Sequence, residues 1–177
     1  MLSSEGGHLG LASWDQEQFE LEQFAKKKFG IGEGYISAEW LFCGLGIPVI
    51  YEYLLTKSGK TLEKPVIGEE VFTKIDSDPI AKRTFEIFLR LLGTCLAHLS
   101  AVLLPDEGVF VCGSIVSSVI EYIKKDVANP QASILISAFT ANKCVGSYLK
   151  TVPIVFTPEV DLGLKGCWNF LQIHHKV

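Results

Sequence analysis

No Cys-x-x-Cys pair occurs among the five cysteines, Cys43, Cys95, Cys112, Cys144 and Cys167, which are odd in number and far apart. Zinc sites and secreted disulfide frameworks need closer or paired spacings, so no metal site is expected and a reducing, cytoplasmic setting fits best. Basic runs are equally scarce. The net charge is −4 and the only cluster is Lys26-Lys27-Lys28, too little to neutralise a run of phosphates, which argues against a nucleic-acid partner. Internal repeats, low-complexity stretches and interdomain linkers are missing as well. No charged-then-apolar leader precedes Glu5, and the final His-His-Lys-Val is no recognisable address, so neither a signal peptide nor a targeting tail is expected.

Only one apolar run comes near membrane length. Ile87 to Leu104 is interrupted by Arg90 and His98 and is followed by Pro105, Asp106 and Glu107. Spanning takes about 20 apolar residues and a central Arg is costly there, so a buried core helix is expected and no membrane. Gly93, Ala97 and Ala101 recur at every fourth position, which would let another helix approach closely. What is present is globular in character: 177 residues, 48% hydrophobic and 20% charged, make one ordinary domain with a real core.

Along the chain, Leu9 to Ala12 reads as the end of a strand, and Asp15 then caps a helix with Gln18 three residues on and Trp14 and Phe19 as a hydrophobic staple. That helix runs to Phe29, with Lys26 to Lys28 complementing its dipole and Gly30 ending it. Ser37 is the next N-cap, opening a helix through Phe42 that breaks at Gly44-Leu45-Gly46 and resumes from Pro48 to Leu55. A polar connection, Lys57 to Lys64, leads to a short helix from Gly68 to Ile75, and Asp78-Pro79 starts the long apolar helix. Gly108 to Cys112 is a strand, Gly113-Ser114 a turn, and Ile115 to Lys124 a helix. Asn129-Pro130 opens a helix to Phe139, Val152 to Thr157 is an edge strand because Pro153 lacks a donor, and Asp161 caps a last helix to His174. Three strands against six or seven helices suit an α/β sheet that lacks some of its strands.

Two places carry candidate chemistry. Glu5 and His8 flank Gly6-Gly7, and glycines let a chain approach a ligand closely. A carboxylate accepts from two neighbouring hydroxyls and an imidazole offers one donor and one acceptor, a combination suited to a polyhydroxylated molecule. Taken alone, these four residues are more economically a glycine turn with polar neighbours. Glu39 is likewise explained by a favourable helix dipole. Gly113-Ser114, between strand and helix, either leaves room for a nucleotide or simply turns the chain. A ligand-gripping loop at residue 5 would be poorly held at a chain end, so sequence is expected to have stood before it in a larger enzyme.

In their joint order the motifs resemble the bacterial-type glucokinase family of the hexokinase and actin superfamily. The resemblance runs through Ser4-Glu5-Gly6-Gly7-His8, then Ile36-Ser37-Ala38-Glu39 with Cys43-Gly44-Leu45-Gly46, then Val109 to Val116, and finally Val152-Pro153-Ile154-Val155 leading to Leu162-Gly163-Leu164-Lys165-Gly166. It implies an actin-like, ribonuclease H-like α/β fold, helix-rich with few strands. Residues 1–177 would be the C-terminal portion of its large domain, and the final helix, 161–174, would return to a small N-terminal domain. It also implies phosphoryl transfer from ATP, with Mg2+, to glucose or a related hexose, giving glucose 6-phosphate.

Carried onto matching positions, the resemblance has Glu5, His8 and Glu39 holding sugar hydroxyls and Gly113 and Ser114 lying against adenosine. Ser114 stands where the family usually has a second glycine, and Cys43 where serine is common. The family's front half would supply an Asp-x-Gly-Gly-Thr phosphate loop, an Asn-Asp pair with the catalytic base, and a Gly-Thr-Gly loop. None of the three occurs in this sequence, so no catalytic residue is expected in this chain and alone it would be inactive. Homodimerisation, or docking on a separately made front half, would cover Leu164, Cys167, Trp168 and Leu171. The rival readings are a non-catalytic sugar-binding or regulatory remnant and a purely structural one.

Overall fold

Side-chain caps fix where several helices begin. The computed structural model describes residues 5–175, and after a 3-10 turn at Gly6–His8 the chain forms α1 (Gln16–Phe29), α2 (Glu39–Phe42), α3 (Gly46–Lys57), α4 (Gly68–Phe72) and α5 (Pro79–Leu103). Strand β1 (Val109–Val111) follows, then α6 (Ser114–Val127), α7 (Ile134–Phe139), α8 (Gly146–Leu149), β2 (Ile154–Phe156) and α9 (Leu162–His175). Ser4, at the head of the first motif, and the terminal Lys176 and Val177 lie outside the described residues. Asp15 accepts from the Gln18 N–H at 2.8 Å, and Asp78 accepts from that of Ile80 at 2.8 Å with Pro79 in the first turn, as their sequences predict. Gly30 closes α1 in the left-handed region at φ 66°.

Helix α5 is the axis of the molecule because it is apolar on two faces. Phe85, Phe88, Leu89 and Leu92 join Phe72, Val119, Ile123, Leu135 and Phe139 in one buried cluster. Ile87 and Leu91 instead join Leu21, Ile36, Leu41 and Ile50 in a second. A helix buried from two sides reads as a nearly continuous apolar run. By length and composition it is long enough to cross a membrane, but 61% of its apolar window is buried inside the fold. Its central cation reaches the edge, where Arg90 pairs with Asp15 at 2.8 Å. Gly93 sets the approach of α7: a Cβ there would lie 2.5 Å from the Leu135 carbonyl oxygen.

The expected strand at Leu9 to Ala12 forms only a single antiparallel bridge, Gly10 to Ser37, with the Leu11 N–H donating to Ile36 O and that of Ala38 to Leu9 O. Ser37 is consequently no helix cap: it is buried in that bridge, and Ala38 stands before α2. Nor does Asn129-Pro130 open α7. Ser133 caps it instead, accepting from the Ile136 N–H at 3.0 Å, while the Asp126 carboxylate accepts from the Ser133 hydroxyl and from the N–H groups of Ile134 and Leu135. Gln18 reaches back to the N–H of Trp14 rather than that of Asp15, and Trp14 and Phe19 are both exposed.

Strands β1 and β2 pair in parallel, Val109 with Ile154, Phe110 with Val155 and Val111 with Phe156. Gly108 makes the entry possible, since its φ of 101° disfavours a side chain and a Cβ would meet Pro153 O at 2.6 Å. One face of the pair packs Val109, Val111, Ile154 and Phe156 on the first cluster. The other carries Phe110, 67% exposed, and Val155, 40% exposed. Leu164, Cys167, Trp168 and Leu171 on α9 are exposed too.

Candidate functional site

The single bridge between Gly10 and Ser37 has a consequence far beyond its size, because it ties the 3-10 turn to α2. The turn itself closes through the His8 N–H to Glu5 O at 3.0 Å and that of Leu9 to Gly6 O at 3.2 Å. Together these bonds bring Glu5, His8 and Glu39 to one exposed rim. His8 Nδ1 lies 3.5 Å from Glu39 Oε2, and its Nε2 lies 3.8 Å from Glu5 Oε2. Those separations permit ion pairing when the imidazole is protonated and are long for direct hydrogen bonds. Gly7 fits beneath the cluster: a Cβ at that position would stand 3.0 Å from Glu39 Oε2 and 3.4 Å from its Cβ. The rim offers carboxylate acceptors and a two-sided imidazole, all accessible to a solute.

Gly113 and Ser114 stand elsewhere, at the junction of β1 and α6. Gly113 has φ 124°, a conformation disfavoured for other residues, and is half-buried, with no atom outside its chain neighbours within 4 Å of where its Cβ would be. Backbone is therefore laid bare at the start of a 14-residue helix, whose first N–H groups have no intrahelical acceptor. Ser114 is the first residue of that helix and is exposed. The turn after α2 runs near the first turn of the same helix, where a Cβ on Gly44 would lie 3.8 Å from Ile115 Cδ1. Sequence reasoning missed the service of Gly7 as the seat of Glu39, although the paired glycines were its signal.

Among the described residues no three His, Cys, Asp or Glu side chains gather as a metal site. The cysteines are free, Cys95 buried with its thiol pushed up by desolvation and Cys112, Cys144 and Cys167 exposed.

An α/β chain with a helix-borne acidic rim and a bare strand-glycine-helix junction has the fold of solved glucokinases. A glucokinase from an Antarctic psychrotroph matches with TM-score 0.78 at 21% identity, covering 97% of this chain and 50% of that one. One from Balamuthia mandrillaris, solved in complex with glucose, matches with TM-score 0.82 at 16% identity, covering 93% and 46%. The glucokinase family model matches residues 1–174, and the chain belongs to that family. A Campylobacter jejuni glucokinase is 33% identical over 178 aligned residues, covering 99% of this chain, and a Neisseria meningitidis one is 30% identical over 175, covering 98%. The chain spans about half the length of these relatives, 50% in each case.

Proposed function

We propose that this chain is the hexose-binding and adenosine-side half of a glucokinase-type phosphotransferase that makes glucose 6-phosphate from glucose and ATP. The observation that carries the reading is the convergence of Glu5, His8 and Glu39 on one rim, with Gly7 making room for Glu39. In this reading the two carboxylates accept from adjacent sugar hydroxyls. His8, held between them, donates to one oxygen and accepts from another. Sites that close on a ligand are often loose without it, which suits the 3.5 Å and 3.8 Å separations. Four stereochemically fixed hydroxyls on a pyranose would meet this arrangement better than a flexible polyol.

The bare backbone of Gly113 and the first turn of α6 fit an adenosine laid flat against them. ATP, when bound, supplies the phosphoryl group, and magnesium would enter with its phosphates. In this reading no residue of this chain is a ligand of the metal. The general base and the phosphate loops are assigned to the front half of an actin-like, two-domain enzyme, with residues 1–177 as the back of its large domain and α9 crossing to the small one. This chain then binds and orients substrate without turnover of its own, in the cytoplasm.

Thermal unfolding with and without millimolar glucose tests the reading, because a ligand that binds only the folded form raises its stability. Glucose is expected to raise the midpoint in the native chain and not in Glu5→Ala or Glu39→Gln. No shift in a cooperatively melting native chain would leave the family fold as scaffold and sink the sugar assignment. A sugar shift with no turnover once a front half is supplied would favour a sensor over an enzyme.

A further inference from the structure

Protein interiors leave few voids larger than a water molecule, so a roomy apolar hollow with a few polar groups on its wall has the form of a ligand pocket. One of about 500 Å³ lies between the end of α6, the helices α7 and α8, and β2. Phe139 and Leu149, each 1% exposed, are part of its wall, and Ile154 and Phe156 add the covered face of the strand. It is remote from the glycine junction. Val127, on the wall, ends α6 and Ser114 begins it, so about 20 Å of helix lies between them at roughly 1.5 Å per residue. Glu5, His8 and Glu39 take no part in the wall either. Its polar groups are of one kind. Lys150 is the only charged residue there, and its ammonium meets no acid among the described residues. Gln131 and Ser137 are exposed beside the hollow, with side chains that bond no described residue, whereas the Thr140 hydroxyl already donates to Ile136 O at 2.8 Å. An ammonium, an amide and a hydroxyl are thus free to donate, with no carboxylate on the wall to take them.

We propose that this hollow is a second ligand site, which takes a small monocarboxylate with an unbranched apolar tail. The carboxylate lies against the Lys150 ammonium and accepts from Ser137 or Gln131, and the tail runs inward over Phe139, Leu149 and Phe156. The charge on the wall selects the head, since an anion that only accepts hydrogen bonds suits a mouth that only donates. The apolar interior selects the tail: a hydroxyl carried in beside Phe139 and Leu149 would lose water without gaining a partner. A peptide strand is a poorer occupant, because Pro153, between Val152 and Ile154 on the wall, has no N–H with which to pair it. The site is independent of the sugar and nucleotide assignments, and stands or falls without them.

The test is calorimetric titration of the full chain with hexanoate, octanoate and decanoate below their micelle concentrations, and with octan-1-ol as the uncharged counterpart of octanoate. One-to-one binding is expected, each added methylene tightening it up to about fourfold, so that decanoate binds about tenfold or more tightly than hexanoate. Octanoate should bind about tenfold more tightly than octan-1-ol, the order of one charge-assisted hydrogen bond. Lys150→Met, at an exposed position, should melt with the native chain and erase the preference for the acid over the alcohol while keeping the dependence on chain length. Ser137→Trp, also exposed, fills the hollow from its wall and should weaken decanoate about tenfold or more. Absence of saturable decanoate binding overturns the proposal. So does binding at several sites that both variants leave unchanged, which is adsorption to the exposed apolar side chains of α9, or an acid preference that survives Lys150→Met. A glucose or ATP shift, present or absent, bears on the rim and the junction and leaves this result as it stands.

Discussion

Gly7 and Glu39 are packed so that a methyl group on the first would press the carboxylate of the second, its Cβ 3.0 Å from Oε2. Neither residue belongs to the buried clusters, so their contact matters to the rim and little to the core. Gly7→Ala is therefore expected to leave the midpoint of unfolding nearly unchanged while weakening glucose binding about tenfold, on the order of one charge-assisted hydrogen bond. Calorimetric titration with glucose checks it. Unaltered affinity would detach Glu39 from the sugar.

Gly93 answers to packing alone. With the Leu135 carbonyl oxygen 2.5 Å from its would-be Cβ and Ala138 Cβ at 3.0 Å, Gly93→Ala must push α7 away from α5. Overpacking of this kind costs about 1–3 kcal/mol. The urea midpoint should fall accordingly, and a midpoint equal to the native one would mean that α7 yields freely.

The cap of α7 makes a related prediction with a different cause. Asp126 accepts from the buried Ser133 hydroxyl at 2.6 Å and from the N–H groups of Ile134 and Leu135 at 3.0 and 3.2 Å. Asp126→Ala leaves those donors short of a partner and is expected to cost about 2 kcal/mol. Asp126→Asn, which keeps an acceptor, should recover part of the loss; if both variants unfold with the native chain, water replaces the carboxylate without penalty.

Asp126 also shows where sequence reasoning stops. Asp15, Asp78-Pro79 and Gly30 announce helix ends because cap and helix are adjacent in the chain, and the structure agrees at each. Asp126 sits on α6 and acts on α7, so its cap is tertiary, and Asn129-Pro130 offered a nearer but mistaken start. The same holds for Leu9 to Ala12, where strand-like residues find only the one partner at Ser37. Helix α8, four residues long, carries no periodic signal and went unread. On the rim, the order of motifs picks out Glu5, His8 and Glu39 as candidates, whereas their approach depends on the Gly10–Ser37 bridge, which no local pattern encodes.

Acid should weaken the fold through Glu20. Its carboxylate is lowered to about 2 from 4.5, chiefly by the Lys57 ammonium and then by Gln16 and the Tyr53 hydroxyl. A folded value below the unfolded one means that the charged form favours the fold: the contribution is whole above pH 4.5 and fades as pH falls towards 2. Urea midpoints measured across that window should decline, and decline less steeply in Lys57→Met. An identical slope in the variant would shift the acid sensitivity to other carboxylates.

Ser114 separates the two halves of the proposed chemistry, since it can be changed without touching the rim. It is exposed, begins α6, and follows a glycine whose φ of 124° and empty surroundings leave the backbone accessible. If adenosine lies against that backbone, the serine hydroxymethyl crowds it, and Ser114→Gly should enlarge the thermal shift produced by ATP while costing several tenths of a kcal/mol in helix propensity without nucleotide. The glucose shift should stay as it was, because Glu5, His8 and Glu39 are untouched. A smaller ATP shift would mean that the hydroxyl is itself a contact. Equal shifts in both proteins would place the nucleotide away from this junction, leaving Gly113 as the turn that aims α6 at the core.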